Sequence, residues 1–148
     1  MRALVQRVLR ARVFVTDELL GQIDQGLLVF LGVHREDTPR DAEWLAHKVL
    51  RLRVFAVRSE KMNHSVVDTN GGILVVPQFT LYGDTKSGNR PSYAAAAAPK
   101  LAKDLYEYFV ELCKNSGIYI ATGKFQAHMA IELVNDGPVT LWLDTKVS

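Results

Sequence analysis

The stretch Gly72-Ile73-Leu74-Val75-Val76-Pro77-Gln78-Phe79-Thr80-Leu81-Tyr82-Gly83 joins an apolar run directly to a group of polar and aromatic side chains. Residues 73–76 have the length and the β-branching of a strand that is buried on both faces. Pro77 lacks a backbone donor, so it should end the regular pairing of this strand. The strand therefore delivers an amide, an aromatic ring and a hydroxyl to its own end, where they can grip a small polar group.

The segments before this stretch have strand patterns, followed by one helix. The strand patterns cover residues 3–16 and 18–23, which should form a hairpin, and the continuous apolar run 27–33. Thr38-Pro39 is typical of a helix start, because Thr38 can accept a first-turn amide bond and Pro39 needs no donor there. We expect this helix to fade near residues 50–52 and a short strand to follow at 54–57.

The segments after it predict a loop, a second long helix and two strands. Residues 83–92 have turn composition and should form a surface loop beside the site. The helix should begin at Pro99, since a proline inside a helix costs about 3 kcal/mol, and should stop at Gly117. Strand patterns then cover residues 125–133 and 139–143, separated by a break at 135–138.

Strands outnumber helices, and two long helices are available to cover them. The predicted fold class is α/β, with mixed, strongly curved, barrel-like and layered β-sheets that are backed by these two helices. A chain of 148 residues fits one domain, residues 1–148, and can bury an ordinary core.

Composition excludes several functional classes. The only cysteine, Cys113, cannot form an internal disulfide, and no N-terminal run resembles a signal peptide, so we expect a cytoplasmic protein. No apolar stretch approaches the ~20 residues of a membrane span, so no membrane partner is expected. His34, His47, His64 and His128 lack ligand spacing, and phosphate-cradling and nucleophile-elbow motifs are absent. We therefore expect no metal and no cofactor.

The formal charge of +2 is too small to establish nucleic-acid binding by itself. Basic side chains nevertheless form two groups along the chain, Arg2, Arg7, Arg10 and Arg12, and Lys48, Arg51, Arg53 and Arg58. On a shared face they would make a modest phosphate-attracting patch. The alternative, which charge alone favours, is that these side chains are solvated and pair with local carboxylates.

A second candidate functional segment is Asn135-Asp136-Gly137-Pro138-Val139-Thr140. It contains the residues that turns use, so it could simply connect two strands. Its X-Pro bond is also the one place where cis geometry costs only about 0.5–1 kcal/mol. A cis bond there would aim two successive carbonyls into one space. The pattern alone leaves both interpretations open.

Residues 77–83 and 135–140 together resemble the paired signatures of the D-aminoacyl-tRNA deacylases, usually written Ser-Gln-Phe-Thr-Leu and Asn-X-Gly-Pro-Val-Thr. The similarity extends over nearly the whole chain. Further landmarks are Arg2-Ala3-Leu4-Val5-Gln6-Arg7-Val8, Gly26-Leu27-Leu28-Val29, Lys61-Met62-Asn63, Arg90-Pro91-Ser92 and Leu105-Tyr106-Glu107-Tyr108-Phe109-Val110. Two motifs at matching separation with collinear flanks are highly specific.

The resemblance implies a homodimeric enzyme that hydrolyses the ester between a D-amino acid and the terminal ribose of tRNA. It implies an active site at the dimer interface, where a cis Gly137-Pro138 reaches into the partner's pocket. No DNA partner is expected. The alternative is a non-catalytic RNA-binding module of the same fold, in which basic residues would still hold tRNA through its backbone phosphates.

The resemblance also assigns roles to single residues. Gln78, Phe79 and Thr80 would line the pocket for the terminal adenosine and the scissile ester, and Met129 would support the Gly-Pro loop. The family usually has serine where this chain has Pro77. A related branch with relaxed chiral selectivity has proline there, but it differs at the phenylalanine and in the second motif. Because this chain retains Phe79 and the second motif, residues 135–140, it resembles the D-specific enzymes.

The chemistry of such a site can be derived independently. L- and D-aminoacyl esters carry identical groups, so a pocket separates them only by fixing three groups and closing the fourth direction. Rigid Gly137-Pro138 carbonyls could hold the ammonium and exclude an L side chain. The amides of Phe79 and Thr80 are candidate oxyanion donors. We expect Thr80 to position a water or a ribose hydroxyl, because its motif contains no base to make it a nucleophile.

Overall fold

The structure is a computed structural model that describes residues 1–56 and 61–146. Its longest central element is strand β1 (Arg2–Val15), which is paired along both edges. One edge pairs with β3 (Gly26–Gly32) and, beyond it, with β2 (Glu18–Ile23). The other edge pairs antiparallel with β6 (Ala130–Asp144) over almost its whole length. This strand of 14 residues, which is rich in β-branched residues and arginines, is thus hydrogen-bonded to other strands along both of its edges.

The sheet continues from β3 and curves back towards its own start. Strand β4 (Gly72–Pro77) pairs parallel with β3, and a short strand β5 (Ile120–Thr122) pairs parallel with β4. The turn of the sheet brings β2 back beside β5, where a Cβ atom added to Gly21 would lie 3.2 Å from the Thr122 carbonyl oxygen. The predicted mixed, barrel-like sheet is confirmed, although the sequence analysis missed β5.

Two helices cover one face of this sheet, as predicted. Helix α1 (Pro39–Arg51) and helix α2 (Pro99–Lys114) both begin at their prolines, and α2 ends three residues before Gly117. The two helices contact each other over the core between them and the sheet. Because both faces of β3 and β4 are buried, these strands have continuous apolar sequences rather than alternating ones.

Successive residues of the central strands face two separate cores. Leu27 and Val29 of β3 pack with the helices, together with Ile73 and Val75 of β4. Their neighbours along the strands point into the barrel, where they pack against β1, β2 and β5. This inner cluster contains Val8, Ala11, Val13, Ile23, Leu28, Leu74, Val76 and Ala121. The strand period of two therefore separates the two cores.

The ends of β1 and β6 are held together by buried charges. The Met1 ammonium lies 2.8 Å from the Asp37 carboxylate, and neither side chain is exposed. The same ammonium donates to the Thr145 hydroxyl at 2.7 Å. A buried ion pair of this kind needs further hydrogen bonds to offset its desolvation. Asp37 obtains one from the His34 amide at 2.7 Å.

The strand predictions near the second motif are confirmed at residues 130–133 and 139–143, but the predicted strand start at residue 125 and the break at 135–138 are wrong. Residues 125–129 lie outside any strand, and β6 then runs without interruption through residues 135–138. The turn-forming residues are accommodated because β1 shifts register on both sides of Val8, which pairs with Asn135. Bulges of this kind absorb extra residues without ending a strand.

The predicted strand at 54–57 is also wrong in its described part. Residues 54–56 contain only an isolated bridge between Phe55 and His64. Val57 and the basic residue Arg58 lie outside the described residues. Over the ranges given above, no helix is long and apolar enough to cross a membrane.

The close approach of β3 and β4 generates a stability prediction. A Cβ atom at Gly26 would collide with the carbonyl of Gly72, which is backbone and cannot move aside without separating the strands. We expect Gly26→Ala to lower the free energy of unfolding by about 3 kcal/mol, measured by urea denaturation. The matched control is Gly88→Ala, where an added Cβ meets no atom within 4 Å. Equal effects of the two substitutions would contradict this account of the strand contact.

Candidate active site

A cavity of about 820 Å³ opens where β4 ends and α2 begins. It lies at the carboxyl end of two parallel strands, which is where open α/β sheets place their ligands. The predicted site residues Pro77, Gln78, Phe79, Thr80 and Met129 all line this cavity. The loop predicted beside the site is also found there, since residues 84–92 are all exposed and Tyr93 lies at the cavity wall.

A short 3-10 helix, η1 (Phe79–Tyr82), presents the polar residues to the cavity. The Gln78 amide donates the last sheet bond to the Leu31 carbonyl at 2.8 Å. The chain then tightens, with the Gly83 amide donating to the Thr80 carbonyl at 2.9 Å. The first amides of such a helix have no acceptor within it. Those of Phe79 and Thr80 have no partner among the described residues.

The side chains of the motif support one another. The Gln78 side-chain amide donates to the Thr80 hydroxyl, which fixes the orientation of that oxygen. The Phe79 ring is 57% exposed, and it contacts the Tyr93 ring edge-on with 5.1 Å between centroids. An exposed aromatic pair at the mouth of a cavity is available to a ligand that carries a flat ring.

Pro77 occupies a position where a missing amide leaves nothing unsatisfied. The pairing of β4 with β5 ends at Val75 and Thr122, and the Gly123 amide adds a last bond to the Val75 carbonyl at 2.9 Å. Beyond that point β4 has no partner strand on this edge. A proline there removes a donor that would otherwise lack an acceptor.

Met129 reaches the cavity because residue 123 is glycine. A Cβ atom at Gly123 would lie 2.8 Å from the Met129 sulfur and 3.3 Å from Cδ of Pro77. The Lys124 amide also contacts this sulfur at 3.4 Å. The flexible thioether thus fills the space between the barrel core and the cavity wall.

The opposite end of the cavity is apolar and was missed by the sequence analysis. It is formed by Ala102 and Tyr106 of α2 and by Phe125. The rings of Tyr106 and Phe125 lie 6.4 Å apart at 34°. The Tyr106 hydroxyl donates to the Val75 carbonyl at 3.1 Å, and burial raises the pKa of this phenol above its usual value. These three residues give this part of the cavity wall an apolar, aromatic surface.

The second motif lies outside this cavity. Gly137-Pro138 is a cis peptide bond, and both residues are exposed. The Arg7 guanidinium donates to the carbonyls of Asp136 and Gly137 at 3.2 and 3.3 Å, and to Val54 at 2.6 Å. It also pairs with the Asp136 carboxylate at 3.1 Å. Within one chain, the structure therefore does not bring the two motifs together.

The Asn135 side chain adds a second support to this segment. Its amide donates to the Arg7 carbonyl at 2.9 Å and to the Val139 carbonyl at 3.1 Å. Among the described residues, a Cβ atom added at Gly137 would meet only the Asn135 side-chain oxygen, at 4.0 Å. The glycine is thus held firmly from β1, while its outer side is open to another molecule.

Several arginines that could have formed a phosphate-attracting patch are used internally. Arg2 pairs with Asp144 at 2.9 Å and donates to the Leu81 carbonyl of η1. Arg12 pairs with Glu132, and Arg7 supports the second motif as described. The carboxylate pairing that the alternative interpretation expects is confirmed for these three residues, but the Arg7 side chain is only 13% exposed and so is not solvated as that interpretation expects. Among the described residues, no group of three His, Cys, Asp or Glu side chains could hold a metal ion.

Comparisons with known proteins agree with this architecture. A family model described as D-Tyr-tRNA(Tyr) deacylase matches residues 4–144. The D-aminoacyl-tRNA deacylase of Thermotoga petrophila is 57% identical over 145 residues, which cover 98% of this chain and 97% of that protein. The D-aminoacyl-tRNA deacylase of Clostridioides difficile is 50% identical over 148 residues, covering 100% and 99%.

Two solved structures share the fold. The c-Myc DNA unwinding element binding protein superposes with a TM-score of 0.92 at 39% identity, covering 99% of this chain and 100% of that one. A probable eukaryotic D-amino acid tRNA deacylase superposes with a TM-score of 0.78 at 21% identity, covering 96% and 97%, and supports the fold alone. The family resemblance of the two motifs is confirmed by the sequence matches. The chain therefore belongs to the D-Tyr-tRNA(Tyr) deacylase family of hydrolases.

Proposed function

We propose that the protein is a homodimer that hydrolyses the ester of D-aminoacyl-tRNA, and that each active site is completed by the partner subunit. The observation that supports this most is the separation of the two motifs. The residues from Gln78 to Thr80 line a cavity, whereas the supported, cis Gly137-Pro138 segment is exposed outside it. A second copy can insert its own segment into this cavity. The products would be free D-amino acid and tRNA, released in the cytoplasm where aminoacyl-tRNA is used.

Chiral selection would follow from the rigidity of the inserted segment. Rejection by 10⁴-fold requires about 5.5 kcal/mol, which fixed backbone can supply by steric exclusion and flexible side chains supply poorly. The Arg7 guanidinium bonds the carbonyls of both Asp136 and Gly137, so this backbone has little freedom to yield. In this proposal the Gly137 and Pro138 carbonyls hold the substrate ammonium and exclude an L side chain.

The cavity itself would hold the terminal adenosine and the ester. The nucleobase would contact the apolar and aromatic side chains of Ala102, Tyr106 and Phe125, which line the cavity. A base there would leave the ribose and the ester towards Thr80. The amides of Phe79 and Thr80 would then donate to the oxyanion of the tetrahedral intermediate.

Thr80 would position a water or a ribose hydroxyl rather than attack the ester itself. Its hydroxyl oxygen already accepts a hydrogen bond from Gln78, which orients the group but does not remove its proton. His128 also lines the cavity, but none of the hydrogen bonds within the described part joins it to Thr80. A threonine without a base is a weak nucleophile.

Steric exclusion of the L side chain predicts which aminoacyl groups are hydrolysed. Purified protein is expected to hydrolyse D-tyrosyl-tRNA and to leave L-tyrosyl-tRNA intact, with about a 10⁴-fold difference in kcat/KM. Glycyl-tRNA should be hydrolysed as well, because glycine has no side chain to exclude. Direct deacylation assays with the three labelled substrates measure this. Failure to cleave glycyl-tRNA would count against steric exclusion as the basis of selection.

Substitution of Thr80 distinguishes a positioning role from a role as the nucleophile. Thr80→Ala should lower kcat by about 10- to 100-fold, since a misplaced reactant costs this much, but should leave measurable turnover. Thr80→Ser, which keeps the hydroxyl, is the matched control and should retain most of the activity. Complete loss of turnover in Thr80→Ala with unchanged tRNA binding would show instead that Thr80 is the nucleophile.

A further inference from the structure

A second groove adjoins the apolar end of the active-site cavity. It has a volume of about 540 Å³ and lies between the second half of α2 and the segment that follows β5. Tyr106 and Phe125 line both the groove and the cavity, so the two spaces lie on either side of these rings. The remaining residues around the groove are Leu20, Lys103, Glu107, Val110, Glu111, Lys114, Thr122, Gly123 and Lys124.

We propose that this groove receives the sugar-phosphate backbone of the tRNA nucleotides that immediately precede the terminal adenosine. The inference rests on the proposed function, because it requires that the adenosine occupies the cavity. A base in the cavity beside Tyr106 and Phe125 must connect to the rest of the tRNA. The groove lies next to the cavity at the same two residues, so it is the neighbouring surface that the preceding nucleotides would reach first.

The charge of the groove fits a phosphate backbone. Three lysines and two glutamates line it, which leaves one net positive charge. Lys103 lies 3.9 Å from Glu107, and both side chains are about 60% exposed, so this pair is weak. Lys114 and Lys124 are exposed and form no ion pair among the described residues. Each is therefore available to one phosphate.

The order of the residues suggests which phosphate each lysine meets. Lys124 directly precedes Phe125 in the chain, so it lies next to the junction with the cavity. Lys114 is in the last turn of α2, where Glu111 would disfavour an anion placed nearer the middle of the helix. The exposed Leu20 side chain adds an apolar contact for a ribose or a base.

Another exit from the cavity would pass the loop at residues 84–92. This loop contains the exposed residues Lys86 and Arg90 and leads to Tyr93 at the cavity wall. The groove shares Tyr106 and Phe125 with the cavity, whereas none of residues 84–92 lines the cavity, and this favours the groove. Substitution of Lys86 and Arg90 in this loop therefore tests the alternative exit.

The test uses the full-length protein with Lys114 and Lys124 both changed to glutamine. Binding of deacylated tRNA is measured over a salt series, and hydrolysis is measured separately on D-tyrosyl-tRNA and on D-tyrosyl-adenosine, which lacks the preceding nucleotides. Loss of two single-strand phosphate contacts should reduce the slope of log K against log salt by about 1.4, with about a tenfold weaker Kd at low salt. The kcat/KM for D-tyrosyl-tRNA should fall similarly, and the loss should be confined to the tRNA substrate.

Lys100→Gln is the control for the loss of one lysine charge from α2, the helix that also carries Lys114. Its side chain is 89% exposed and pairs with Asp104 at 3.2 Å, outside the groove. It should leave the salt slope unchanged. An unchanged slope in the double variant, equal losses on both hydrolysis substrates, or a slope change only in Lys86→Gln/Arg90→Gln would overturn the proposal. Absence of hydrolysis by the unmodified protein would contradict the proposed function, while the binding data would still test the groove.

Discussion

The pairing of β1 with strands on both of its edges is the constraint on which the rest of the structure depends. Along one edge it holds β3, and through β3 it positions β4 and the residues at the end of β4. Along the other edge it holds β6, where the register shifts beside Val8 make room for the second motif. The two halves of the candidate site are thus fixed to opposite edges of one strand.

Arg7 connects the pairing of β1 with β6 to the second motif of the candidate site. The residue belongs to β1, yet its guanidinium bonds backbone carbonyls of the segment opposite it. A planar group with several donors fixes such a backbone better than a single ammonium could. Rigid backbone is also what discrimination between mirror-image substrates requires. The Gly137-Pro138 bond is exposed on its own chain, and the proposed function assigns this rigidity to the pocket of a second subunit.

The sequence predicted correctly those elements that are determined by residues close together in the chain. The helices begin at Pro39 and Pro99 because these prolines fit only the first turn, and the apolar runs of β3 and β4 indicated strands buried on both faces. The predictions were wrong where pairing between distant segments determines the secondary structure. Residues 120–122 became a strand by pairing with β4, and 135–138 stayed in a strand through bulges against β1.

The candidate site also contains some residues that the sequence predicted and others that only the fold brings together. Pro77 to Thr80 and Met129 could be named from two motifs, whereas Tyr106 and Phe125 could not. Their sequence neighbours suggest an ordinary helix stripe and a strand, and only the fold brings them to the cavity. The lysines of the groove are likewise scattered between residues 103 and 124, so no cluster is visible in the sequence. Of the basic clusters that are visible there, Arg2, Arg7 and Arg12 pair with carboxylates.

The most direct test of a site shared between subunits is complementation. One variant carries Phe79→Ala with Thr80→Ala, the other replaces Gly137 and Pro138 by alanines, and each alone should be nearly inactive on D-tyrosyl-tRNA. After subunit exchange, half of the dimers are mixed and each mixed dimer has one intact site, so about one quarter of the unmodified activity should return. No recovery, with mixed dimers verified by mass spectrometry, would contradict a site completed by the partner subunit.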